Sequence, residues 1–112
     1  MVMSLEKLND GRVEKALMYL SQTDEEHAEL SGEVKRLEEL IKQAKSHAFL
    51  LSSGTVAERE AQAIDSPTYK NAVDEWVDAY KNFKTLENKR THEIRITEIW
   101  QTLSANRRKG SI

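Results

Sequence analysis

A few residues in this chain could do chemistry if the fold gathered them. They are His27, His47 and His92, the glutamates between Glu25 and Glu39, and the cations from Arg90 to Lys109. His27, Glu87 and Arg90 would make a constellation on paper: an imidazole to move a proton, a carboxylate to orient it, a guanidinium to hold an anion. No serine, cysteine or second histidine stands at a spacing that suggests an activated nucleophile. The three histidines are scattered, and none sits in a His-Glu-x-x-His or Glu-x-x-His pattern. The sequence therefore predicts no catalytic residue, no metal ligand, no cofactor and no small-molecule substrate. The competing reading of Thr23, His27, Glu87 and Arg90 is structural: polar residues in an apolar seam fix the register of paired helices.

That seam sets where these residues lie. Val13, Ala16, Leu20, Thr23, His27, Leu30, Val34, Leu37, Ile41, Ala44, Ala48 and Leu51 follow one another in steps of three and four. All but Thr23 and His27 are apolar. Glu, Lys, Arg and Gln fill most positions between them, as on the wet face of a helix. The pattern predicts a first helix over about 10–51, close to 60 Å long at 1.5 Å per residue. Asn9 and Asp10 are candidate N-caps. Thr23-Asp24-Glu25-Glu26 also reads as a capping box. A break there is the alternative, although the seam keeps its phase across it.

Ser52-Ser53-Gly54 signals a stop. Thr55 with Glu58 caps a short helical piece within a 52–66 connection, and Ser66-Pro67 starts a second long helix over about 67–107. Tyr69, Val73, Trp76, Tyr80 and Phe83 carry the seam of that helix, with Trp76, Tyr80 and Phe83 as core anchors. Glu87 and Arg90 interrupt it, and Ile94 and Thr97 resume it. A second apolar line, His92, Ile96, Ile99 and Leu103 with Trp100, widens the apolar surface. Two helices of equal length around a short connection predict an all-α antiparallel hairpin in a single domain. Counting back from the turn sets His27 opposite Arg90 and joins Thr23, His27, Glu87 and Arg90 into one layer. The wide face (Ile96, Ile99, Trp100, Leu103) predicts an oligomer interface, most simply a homodimer forming a four-helix bundle.

Charge is unevenly spread. The chain carries a net −2, made of −3 over residues 1–50, −4 over 51–80 and +5 over 81–112. Arg95, Arg107, Arg108 and Lys109 predict a contact with nucleic acid or an acidic partner, without sequence-specific readout. The glutamates of the first helix would suit an inhibitor that imitates a nucleic-acid backbone. There is no cysteine, no apolar run of membrane-spanning length and no basic-then-apolar leader. A cytoplasmic protein without a membrane segment is expected.

Several segments carry a resemblance: Tyr19-Leu20 with Thr23-Asp24-Glu25, Ala48-Phe49-Leu50, Gly54-Thr55-Val56-Ala57-Glu58-Arg59-Glu60, Ser66-Pro67-Thr68-Tyr69, and Ile99-Trp100-Gln101-Thr102-Leu103-Ser104-Ala105-Asn106-Arg107-Arg108. The chain resembles a family of small coiled-coil proteins encoded in the early, recombination region of tailed bacteriophages and prophages. The absence of Trp-x-Gly at the turn separates it from the small secreted Trp-x-Gly hairpins. The resemblance implies a setting: a non-enzymatic accessory protein for DNA recombination or replication, with another phage or host protein as partner. Inhibition of a host nuclease or defence enzyme is the alternative, and an assembly chaperone or scaffold a further one.

Overall fold

The structure, a computed structural model, describes residues 8–110. The described residues form three α-helices and no strand: α1, Asp10–Leu51; α2, Val56–Asp65; and α3, Pro67–Gly110. α3 runs to Gly110, past the expected end at 107. Its last turn holds Arg107, Arg108 and Lys109, cations that suit the negative end of the helix dipole.

Each helix start has a local cause. The Asn9 side chain accepts from the Arg12 backbone N–H at 2.9 Å and caps α1. Thr55 accepts from the Glu58 N–H at 3.2 Å and caps α2. Ser66 accepts from the Tyr69 N–H at 3.2 Å, just ahead of Pro67 at the first position of α3.

α1 passes through Thr23 without interruption. The capping-box reading loses there because the Thr23 hydroxyl is engaged inside the helix. It donates to the Tyr19 carbonyl at 2.8 Å, one turn back, and so offers no cap for a new start.

The chain divides into two compact units. The first joins the residues up to His27 with those from Thr85 onward. Its core is Val13, Ala16 and Ile96, with Leu8 and Trp100 packed against them. Contacts in this unit pair ascending α1 numbers with descending α3 numbers: Asp10 with Trp100, Arg12 with Glu93, Thr23 with Arg90, His27 with Glu87.

The second unit is Ala28–Lys84. It buries Val34, Leu37, Ala48 and Ala63. Trp76 stacks on Tyr80, ring centroids 5.1 Å apart, and Trp76 and Phe83 are half-buried. α1 has no basic residue in its last turn. Arg59 of α2 supplies one instead: its guanidinium donates twice to the Phe49 carbonyl, at 3.2 and 3.3 Å, and lies 4.1 Å from the Phe49 ring centre.

Gly54, between α1 and α2, has φ +111°. Gly54→Ala is expected to destabilise by about 1–3 kcal/mol, because an L side chain resists that φ. A Cβ there would also meet the Glu58 carboxylate at 2.6 Å. Gly32 lies within α1, where a Cβ would meet nothing within 4 Å. Gly32→Ala should stabilise by about 0.5–1 kcal/mol. Urea melts of the two variants, shifting in opposite directions, check the pair.

Candidate functional site

The polar residues of the first unit lie along the line between α1 and α3. Arg90, whose side chain is only 13% exposed, is the centre of the group. It donates to the Leu20 carbonyl at 2.8 Å, to the Thr23 hydroxyl at 2.7 Å and to the Asp24 carboxylate at 3.2 Å. Next along, His27 Nε2 stands 3.8 Å from a Glu87 carboxylate oxygen. The four seam residues Thr23, His27, Glu87 and Arg90 thus come together as two pairs. The pairing differs by about one turn from the counted register, which set His27 opposite Arg90: Arg90 meets Thr23, and His27 meets Glu87. Counting from a connection fixes register only to about a turn, because caps and turns use unequal lengths of chain on their two sides.

This geometry braces the helices. Arg90 spends its donors on a main-chain carbonyl, a hydroxyl and a carboxylate, all within the chain. His27 faces the Glu87 carboxylate.

Two polar pairs were not predicted. Arg12 reaches Glu93 at 2.8 Å, with the Glu93 side chain only 17% exposed. The hydrogen bond to Glu93 holds the Arg12 guanidinium above its ordinary pKa, against a smaller opposing effect of desolvation. Trp100 Nε1 donates to the Asp10 carboxylate at 3.1 Å. The signal was present in the spacing: Arg90, Glu93, Ile96 and Trp100 are three or four apart, a third way to draw the inner line of α3.

That line corrects two expectations. The expected seam runs through Ile94 and Thr97, yet Ile94 is 40% exposed and Ile96 is 0% exposed. Ile96, expected at an interface with a second copy, is buried inside this chain against Val13 and Ala16. The physical reason is fit. Ala16 is small and leaves a hole that a large side chain on α3 can fill. Trp100 packs on the same cluster. Ile99 and Leu103 are half-buried.

The basic residues take a different position. Arg95, Arg107, Arg108 and Lys109 are all exposed. On α1, Glu25, Glu26 and Glu29 are exposed too, but two glutamates of the acidic run are matched locally. Glu33 accepts twice from Arg36, at 2.6 and 3.0 Å, and the hydrogen bond holds its carboxyl below the ordinary range. Glu39 accepts from Lys42 at 3.1 Å.

Among the described residues no three His, Cys, Asp or Glu side chains gather as a metal site, and no helix is long and apolar enough to cross a membrane. The comparisons with known proteins are negative: no family model matches the chain, and neither a curated protein nor a solved structure matches it.

Proposed function

We propose that the chain is an antiparallel helical hairpin that works without catalysis. It acts as a phage-encoded accessory protein in DNA recombination or replication. It does so through protein contacts, helped by weak nucleic-acid contact at the basic end of α3. One observation carries this reading: Arg107, Arg108 and Lys109 are exposed in a final turn of α3 that holds no acid. Three such cations can neutralise phosphates without reading a sequence. Self-association belongs to the same reading, as a homodimer and in its fuller form a four-helix bundle. The core is thin: Ile96 is the only large side chain that is fully buried among the described residues. The rival reading, an inhibitor working through the acidic face of α1, is weakened by the Arg36 and Lys42 pairs that neutralise part of that face.

The test is binding to single-stranded DNA across a salt series. Three phosphate contacts give a slope of about −2 in log–log form, so affinity should fall roughly 15-fold to 20-fold between 50 and 200 mM salt. Replacing Arg107, Arg108 and Lys109 by Ala should remove the binding and leave the helix content unchanged. Absence of binding by the native chain at low salt would end the nucleic-acid part of the proposal.

A further inference from the structure

Among the described residues, the most exposed large apolar side chains are not on the wide face of α3. They are Leu50, Leu51 and Val56, at 73, 77 and 65% exposure, where α1 ends and α2 begins. An open groove lies beside them in the second unit. Lys45, Ser46, Phe49 and Leu50 of α1 line it from one side and Glu60 of α2 from the other.

We infer that this groove docks a second copy of the chain through the same groove, about a two-fold axis. The inference rests on the reading of the protein as self-associating, and it places the interface at the α1–α2 junction. Charge selects the occupant. A two-fold axis that runs along the groove sets each rim against the opposite rim of the other copy. Here one rim carries Lys45 and the other Glu60, so a two-fold brings Lys45 to the partner's Glu60 and Glu60 to the partner's Lys45. The proposed axis passes beside Leu50, the most exposed apolar residue of the lining, so that this side chain meets its own copy. Like charge does not oppose the approach. Residues 45–65 hold Lys45 and Arg59 against Glu58, Glu60 and Asp65, a net of −1, and Arg59 is already turned onto Phe49. The final turn of α3 cannot pair with itself in this way, because Arg107, Arg108 and Lys109 would meet three cations of the same sign. An apolar centre inside a rim of matched charges is also the usual plan of a small interface.

Sedimentation of the intact chain provides the test, with circular dichroism to confirm that each variant keeps its helices. At about 100 µM, where an interface of modest affinity is populated, the native chain should sediment as a dimer and Leu50→Asp as a monomer. Lys45→Glu and Glu60→Lys should each weaken the dimer by about tenfold or more, and the double variant should recover it. The chain lacks cysteine, so Leu50→Cys supplies a second readout: mild oxidation should yield a covalent dimer through this position alone. A native dimer that Leu50→Asp and the charge reversals leave intact, and that Leu50→Cys does not cross-link, would overturn the placement while self-association stands. A native chain that stays monomeric at that concentration would overturn both.

Discussion

Ile96→Ala is expected to destabilise the protein by about 2–5 kcal/mol, whereas Ile94→Ala should fall within about 1 kcal/mol of the native chain. The two residues are two positions apart on the same helix and have the same side chain. Only burial separates them: Ile96 is 0% exposed against Val13 and Ala16, and Ile94 is 40% exposed. Truncating Ile96 leaves a void between a valine and an alanine that are too small to collapse into it. Truncating Ile94 removes atoms that water already touches. A loss of this size is a large part of the 5–15 kcal/mol that holds a typical domain together. It should also be local. Amide exchange in Ile96→Ala should accelerate first in residues 10–27 and 85–110, the unit whose core Ile96 supplies. Urea melts of the two variants decide the matter. If Ile94→Ala proved the more damaging, the packing described for α3 beyond Arg90 would be wrong.

The same pair of residues shows where sequence reasoning stopped. On α1 a single apolar line exists, and its twelve positions could be read without ambiguity; all but Leu51 are buried or half-buried. The caps at Asn9, Thr55 and Ser66 were legible for the same reason, since each needs only neighbours along the chain. Past Arg90, α3 offers two apolar lines, one through Ile94 and one through Ile96. Periodicity alone cannot rank them. The choice depends on the residues opposite, Val13 and Ala16, 83 and 80 positions before Ile96. Thr23 gives the converse lesson. Its local pattern spelled a helix start, and its hydroxyl was taken by Tyr19 and by Arg90, a partner 67 positions distant. The polar grouping of Thr23, His27, Glu87 and Arg90 was legible because two interruptions in two seams complement each other. Its exact pairing was not, because one turn of register leaves that complementarity intact. Arg59 could not be assigned at all, since a cation that caps the helix before it is fixed by the path of the Gly54 turn.

Arg90→Ala should destabilise by about 1.5–3 kcal/mol, and Arg90→Lys should recover less than half of that. The guanidinium is a fork. One nitrogen, Nη1, reaches the Leu20 carbonyl and the Thr23 hydroxyl, and the other, Nη2, reaches Asp24. A lysine ammonium keeps the charge but cannot span these acceptors from one fixed plane. The three bonds are not equal. Asp24 is 79% exposed on its side chain, so its ion pair is screened, and Asp24→Ala should shift stability by only about 0.5 kcal/mol or less. The bonds to Leu20 and Thr23 are shorter and part-buried, and they should carry most of the effect. A double-mutant cycle makes this quantitative. Arg90→Ala with Thr23→Val should show coupling of about 1 kcal/mol, because each removes the other's partner. Arg90→Ala with Asp24→Ala should be close to additive. The cycle also bears on function. If Arg90 served an incoming ligand instead of the helices, Arg90→Ala would leave the melting temperature unchanged, and the coupling to Thr23 would vanish. A measured coupling places Arg90 among the residues that hold α1 to α3 in the first unit.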